Sequence, residues 1–329
     1  MSTPNPRSLG IVALLLATSG WGGMFLVSKG VLHHVDPFWF TLSRYTIAGL
    51  VLIALLLPRG MAPWHKLHAH ALPLALRGLA GFGVFSVMLL IGLAHSVPSH
   101  GAVIVATAPM TTQLLRWALD GIRPARANVL TALLALTGVA VVSGVLSGVL
   151  SGSLSGSSTG VSTWRGDAVA LAGTVGWILY TRGAAKFAEL DVVEYTALTV
   201  LASWPLLLVG ALAATLLGWA HAPSVDGLQA SWEALAYVGL VSSTFSVLAF
   251  NYGVRALGAV TATAFFNFVP VSALLMSIAL GKPPTANELL GMAMVVAALL
   301  IHTAISRTGP KVQRLASTMP AVRTCASTP

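Results

Sequence analysis

The chain has 329 residues, of which 56% are hydrophobic and only 8% charged, and it carries a formal net charge of +9. Its mean hydropathy is +0.84, and an ordinary soluble domain is about 25% charged, so a water-exposed globular fold is excluded. The single cysteine, Cys325, excludes an intramolecular disulfide and a thiolate metal site.

Apolar runs follow one another at 10–31, 38–57, 72–94, 101–119, 127–146, 167–184, 193–218, 234–254, 259–280 and 286–305. Each is close to the roughly 20 residues that carry a helix across about 30 Å of hydrocarbon. None alternates as a membrane strand of about 10 residues does. The expected fold class is an all-α integral membrane protein of ten transmembrane helices.

The first run has a rival reading as a secretory leader, with Arg7 in front and the small residues Ala17-Thr18-Ser19-Gly20 as a cleavage site. Its apolar character runs on to Val31, so it is taken as a span. It ends in Trp21-Gly22-Gly23-Met24-Phe25-Leu26-Val27-Ser28-Lys29. The glycines let neighbouring backbones approach, and Trp21, near midplane, lines a cavity or packs between helices. Lys29 either snorkels to headgroups and Asp36 or faces inward to attract a substrate carboxylate. In the second run Arg44 lies roughly 10 Å from the outer end, where snorkelling is harder. Its fork suits a substrate carboxylate or backbone carbonyls.

His65-Lys66-Leu67-His68-Ala69-His70 has metal-like spacing but stands in a basic loop without carboxylates, so no metal site is expected. In the fourth run Pro109 frees a carbonyl and can bend the helix, as Pro270 can in the ninth; passive kinking accounts for both equally well. Gln113, Ser86 and Asn251 are weaker polar candidates. Asn267 in the ninth run wants a partner, another helix or the substrate. Gly156-Ser157-Ser158-Thr159-Gly160 matches a hydrolase pattern but lacks its strand-turn-helix setting. It belongs to the tract 143–160, rich in Ser and Gly, which reads as a linker between two sets of five spans.

All the Lys and Arg residues except Lys29, Arg44, Arg165 and Lys282 fall on or beside one face if the N-terminus is cytoplasmic. The positive-inside rule accounts for that bias, puts both termini in the cytoplasm, and removes the need for a nucleic-acid partner. Every carboxylate lies near an interface or in a loop, so no acidic proton carrier stands at midplane.

The halves echo one another. Trp21 has a counterpart in Trp177, Pro109 in Pro270, and Phe85-Ser86-Val87 in Phe245-Ser246-Val247. Five spans per copy invert the second relative to the first, a construction used by secondary transporters with a midplane site. WGGMFLVSK with Pro37 and Arg44, Ala94–Pro109, Gly166-Asp167 through Trp177 and Tyr180, and Phe266-Asn267-Phe268-Val269-Pro270-Val271 resemble EamA-type carriers of the drug/metabolite transporter superfamily, over about residues 8–306. The Gly-Glu pairs common after spans four and nine in that family are replaced here by Gly121-Ile122 and Gly281-Lys282.

The resemblance implies ten helices around a central cavity and transport, often export, of amino acids or other small metabolites. The expected organisation is a cytoplasmic N-terminus (1–8), a first repeat (9–146), an extracytoplasmic linker (147–164), a second repeat (165–306) and a basic cytoplasmic tail (307–329). Candidate substrate-binding residues are Trp21, Lys29, Arg44, Trp177, Tyr180 and Asn267, with flexure at Pro109 and Pro270. No cofactor or catalytic residue is expected. The expected partners are a small-molecule solute and membrane lipids, with a homodimer as the assembly weighed. The competing functions are an intramembrane lipid-modifying enzyme and a passive channel.

Overall fold

The structure, a computed structural model, describes residues 5–94, 104–142, 164–279, 281 and 284–308. The expected linker up to residue 163, the Gly156–Gly160 motif, Lys282 and the tail beyond Thr308 lie outside them. Among the described residues all regular structure is helical.

Helix α1, Pro6–Val31, begins where Asn5 Oδ1 accepts the Arg7 N–H at 3.0 Å and Pro6 occupies the first turn, where its missing N–H has no helical partner anyway. Helix α2, Pro37–Leu56, starts the same way, with Asp36 Oδ1 accepting from the Phe38 N–H at 3.0 Å. A short α3, Ala62–Ala69, leads to α4, Ala71–Ala94, which contains a π-helical stretch at Leu79–Val84. Helix α5, Ala108–Asp120, ends on Gly121 at φ 68°, a left-handed cap that suits glycine. Then come α6, Arg126–Val142, and α7, Trp164–Gly183.

Helix α8, Val192–Leu216, opens with a capping box: Asp191 accepts the Glu194 N–H at 2.9 Å while Glu194 Oε2 accepts the Asp191 N–H at 3.1 Å. It carries an internal proline, Pro205. A short α9, Val225–Ala230, precedes α10, Trp232–Leu257, with a second π-helical stretch at Val238–Phe245. Helix α11 covers 259–279 as Ala259–Ala264, a 3-10 turn Phe265–Asn267 and Phe268–Ala279. Helix α12, Ala286–Thr308, completes the described chain.

Seven of these helices (α1, α2, α4, α8, α10, α11 and α12) are long and apolar enough to cross a membrane. The other three expected spans are described as less. The run 127–146 gives the 17-residue α6, and the run 101–119 gives residues 104–106 and the 13-residue α5. The run 167–184 gives α7, long enough at 20 residues but diluted by Arg165, Asp167 and Arg182 at its ends.

Packing is reciprocal. Helix α1 lies along α10 as α7 lies along α4, and the pairs α2–α8 and α6–α12 face each other directly. Lipid offers no hydrophobic drive for helix association, so close contact and polar bonds hold such a bundle together. The glycines of the WGG stretch supply that contact. A methyl at Gly22 would run into Ser272 Oγ and come within 2.9 Å of the Ala273 nitrogen on α11, and one at Gly23 would strike the Tyr237 hydroxyl. Across the same seam Ser272 Oγ donates to Thr18 O at 3.1 Å and Tyr237 Oη donates to Gly20 O at 3.0 Å.

Candidate functional site

Where α1, α2, α4, α7, α10 and α11 converge, aromatic rings close on one another. Trp21 stacks on Phe266 at 5.2 Å with the planes 3° apart, and its edge meets Trp177 at 5.4 Å. Phe250 stands 5.3 Å from Trp21, 5.6 Å from Trp177 and 5.2 Å from Phe266, and Phe85 lies 5.3 Å from Trp177. Each such pair contributes about 0.5–1.5 kcal/mol beyond area burial, so the cluster is a stiff wall. Beside it a gap of about 30 Å³ is lined by Trp21, Met24, Phe25, Arg44, Tyr45, Phe85, Leu89, Val105, Trp177, Val247, Phe266 and Val269. That space holds a water or two, not a solute. The expected solute-sized central cavity is not found at the rings among the described residues.

Among the described residues Arg44 is the one charged group lining the gap. It is only 4% exposed; its Nε donates to Ser243 Oγ at 2.7 Å and its guanidinium carbon stands 5.0 Å from the centre of the Tyr45 ring. Among the described residues no carboxylate pairs with it. Trp21 Nε1 donates to Ser242 O at 3.0 Å, which fixes its ring, whereas Trp177 Nε1 is buried and meets no acceptor among the described residues.

The other expected site residues fall elsewhere. Tyr180 sits behind the wall, 5.3 Å from Trp177, where its hydroxyl accepts from Asn251 Nδ2 at 2.6 Å. Asn251 Nδ2 also donates to Thr196 Oγ1 at 2.8 Å, so the polar atoms here tie α7, α8 and α10 together. Asn267 does not line the gap: its Nδ2 donates to Ala264 O at 2.9 Å, and its side chain faces a separate chamber described below. The Lys29 side chain lies outside the described residues. Pro109 follows a break in the helix at Thr107, and Pro270 follows the 3-10 turn at Phe265–Asn267.

Tyr45, Phe250 and Ser243 contribute to the site without having been picked out from the sequence. Nothing distinguishes one phenylalanine in a greasy run from another, but the place of Phe250, just before Asn251 in the eighth run, was a usable cue.

A second, larger cavity of about 920 Å³ opens at one end of the bundle, lined among others by Arg77, Arg116, Arg182, Lys186, Arg255, Thr112, Thr181, Val254 and Thr261. Trp177 and Phe250 lie one helical turn deeper than Thr181 and Val254 and do not themselves line it. Three of its cations are engaged: Arg77 Nη1 donates to Leu179 O at 3.0 Å, Arg255 donates to Leu190 O, and Arg182 pairs with Asp120 at 2.7 Å. The expected histidine-rich loop is instead helix α3 with His70 just after it; carboxylates stand beside it, and it gathers no metal site among the described residues. Lys66 there holds Glu194 at 2.7 Å, and His70 approaches Glu189 at 3.4 Å.

The sequence profile of the EamA-like transporter family matches residues 8–144 and again 164–304. Relatives include the uncharacterized transporter YrdR of Bacillus subtilis, 26% identical over 91% of this chain and 92% of that protein. A probable terminal-alkyne amino-acid exporter of Streptantibioticus cattleyicolor is 28% identical over 89% and 93%. The aromatic amino acid exporter YddG of Ancylobacter novellus is 25% identical over 93% and 100%. These relatives carry the names of transporters rather than enzymes, and the apolar helices make this a multi-pass membrane protein. With the profile matched in two segments that cover most of its length, the chain belongs to the EamA-like transporter family.

Proposed function

We propose that the protein exports a small amino acid, or a closely related carboxylate-bearing solute, by alternating access around the aromatic gap. The observation that carries this reading is Arg44: a buried guanidinium on the wall of the gap with no carboxylate partner among the described residues, beside the Trp21, Trp177 and Phe266 rings. A charge inside a membrane bundle is costly and marks a substrate path. A substrate carboxylate would complete the guanidinium fork, and an apolar side chain would lie against the rings. Trp177 Nε1 and Lys29 are the further polar groups assigned to the solute, with Tyr180 and Asn267 supporting the wall from behind. Relatives named as amino-acid exporters support both the solute class and the direction.

In this reading the bundle has ten spans, 9–146 and 165–306, as two inverted repeats joined by an extracytoplasmic linker at 147–164. Both termini and the tail 307–329 are cytoplasmic, in the plasma (inner) membrane. The double profile match and the reciprocal packing of α1–α10 with α7–α4 support it. The basic vestibule then faces the cytoplasm, as positive-inside bias requires. The conformation is one open to that side and closed at the rings, and Pro109 and Pro270 are the flexure points.

Purified protein in sealed vesicles, offered radiolabelled phenylalanine, leucine and glutamate separately, tests the reading. Saturable uptake accelerated by preloaded unlabelled solute is expected for at least one of the neutral amino acids. Flux linear in concentration, without counterflow, would make the protein a channel, and chemical conversion of the solute would make it an enzyme.

A further inference from the structure

A separate chamber of about 10 Å³ lies between α5, α6, α11 and α12, lined by Pro109, Gln113, Asn128, Thr131, Asn267 and His302 together with small apolar residues. Its surface is mostly apolar, with a few polar side chains among nearly buried neighbours, and it shares no lining residue with the aromatic gap. Three side-chain atoms of its lining residues are buried and find no partner among the described residues: Gln113 Oε1, Asn267 Oδ1 and His302 Nε2. Orphaned buried polar atoms are rare and demand an occupant or a function, and three share this one chamber.

The local bonds fix much of the arrangement. Thr131 Oγ1 donates to Ala127 O at 3.0 Å, which leaves its lone pairs to accept the Nδ1–H of His302 across 3.4 Å. In that tautomer Nε2 carries the lone pair. Asn267 Nδ2 donates one hydrogen to Ala264 O, and its Oδ1 is left without a partner among the described residues. Neutral His302 therefore brings a further lone pair to a chamber whose lining already holds the bare amide oxygens of Asn267 and Gln113. One proton on Nε2 turns that atom from an acceptor into a donor, the kind of group these oxygens lack.

We propose that this chamber is a proton site, with His302 Nε2 as the atom that takes the proton, and that its charge state sets how tightly α5, α6, α11 and α12 are held together. His302, 5% exposed, is the only titratable residue lining the chamber among the described residues. From the facing helices, α11 and α5 contribute Asn267 and Gln113, and α6 contributes Asn128 and Thr131, none of which titrates. Arg126 starts α6 and is exposed, and Arg116 of α5 lines the vestibule instead. On α12 itself Glu288 lies at the opposite end, and the Arg307 side chain is outside the described residues.

Coupling follows from neighbours in sequence. Thr112 and Thr261 line the vestibule while Gln113 and Ala264 line the chamber, so the two spaces share the walls of α5 and α11. Pro109 lines the chamber while Ala108, the residue before it, touches the space beneath Trp177 and Phe266. The inference rests on the carrier reading for its purpose but not for its test.

In the full chain with Cys325→Ser, a reporter Thr261→Cys in the vestibule wall is labelled with a water-soluble maleimide at matched thiolate concentration from about pH 5 to 8, the range in which imidazole changes charge. The expected labelling rate changes roughly fivefold or more across that range, the lower end of ordinary coupling between sites, and becomes flat with His302→Gln. An equal pH response without His302, or a response to sodium instead of protons, overturns the proposal. Should His302→Gln not accumulate, 15N-histidine spectra of the unsubstituted chain decide it. An imidazole in slow exchange with water that titrates in this range is expected; one locked neutral, or none in slow exchange, leaves only a structural polar pocket. Labelling needs no solute, so its failure leaves counterflow, and the carrier reading, intact.

Discussion

At the scale of single residues Arg44 carries the most weight. A guanidinium deep in a helix bundle is sustained by hydrogen bonds, and the structure gives it one neutral partner, Ser243, and the face of Tyr45. Hydrogen bonds to charged groups contribute about 1.5–3 kcal/mol, so losing the fork's bond to a substrate carboxylate should raise half-saturation by roughly tenfold to a hundredfold. Arg44→Gln is expected to reach the membrane in normal amounts and show that loss in vesicle uptake. Arg44→Lys should recover only part of it, since a point charge cannot bond the carboxylate at two oxygens; full recovery would reduce Arg44 to a bulk charge. The interior placement of Arg44 and Trp21 was legible in the sequence because a cation or an indole deep in an apolar run conflicts with lipid. The Phe250–Phe266–Trp21 contact was not, since a phenylalanine suits lipid and protein equally. The place of His302 was not legible, because a lone histidine in an apolar run carries no sign that the fold sets it in one chamber with Asn267 and Gln113.

At the scale of elements, glycines and caps set how the helices meet. Gly22 faces Ser272 and the α11 backbone, whereas a methyl at Gly30 on the same helix meets nothing within 4 Å. Overpacking costs about 1–3 kcal/mol, so Gly22→Ala should lower the thermal midpoint in detergent while Gly30→Ala leaves it unchanged or raises it; equal effects would mean that α1 and α11 are not held at this seam. At the start of α8, burial pushes the Asp191 carboxyl upward, but N–H bonds from Glu194 and Val193 and the Arg59 guanidinium outweigh it, and the carboxyl sits below its ordinary range. A carboxylate lowered in the folded state stabilises above its unfolded pKa of about 3.9 and loses that contribution as pH falls through the folded value. Asp191→Ala should therefore cost about 0.5–2 kcal/mol at neutral pH, and the gap between the two proteins' melting points should narrow only below about pH 4. Helix existence could be read from apolar runs and caps such as Asp36-Pro37. The π-helical stretches in α4 and α10 could not, because one extra residue per turn leaves no compositional mark. Yet they occupy matching places, each running up to or through the phenylalanine of the repeated Phe-Ser-Val.

At the scale of the whole molecule, an odd number of spans per repeat has a consequence that composition alone does not. Two copies of an even unit would stand parallel; in the proposed arrangement two copies of five point in opposite directions, and the contacts exchanged between α1–α10 and α7–α4 are of the kind that a two-fold axis in the membrane plane would generate. The same proposal sets sidedness, because a fifth crossing would deliver the chain to the face opposite the N-terminus and a sixth would return it. Phosphatase fusions after Asp36 and Gly160 should be active outside the cytoplasm, and those after Arg59 and Arg182 inactive, with the reverse pattern from a cytoplasmic reporter such as β-galactosidase. The informative pair is Gly160 and Arg182, since α7 between them carries Arg165, Asp167 and Arg182 at its ends and, though 20 residues long, is not among the seven helices apolar enough to cross. If both report the same face, α7 does not cross, the repeats lose their inversion, and Trp177 cannot stand opposite Trp21 as its symmetry mate. If they report opposite faces, the charges at the ends of α7 lie at the two interfaces. The uncharged middle of the helix, which bears Trp177, then spans the hydrocarbon between them.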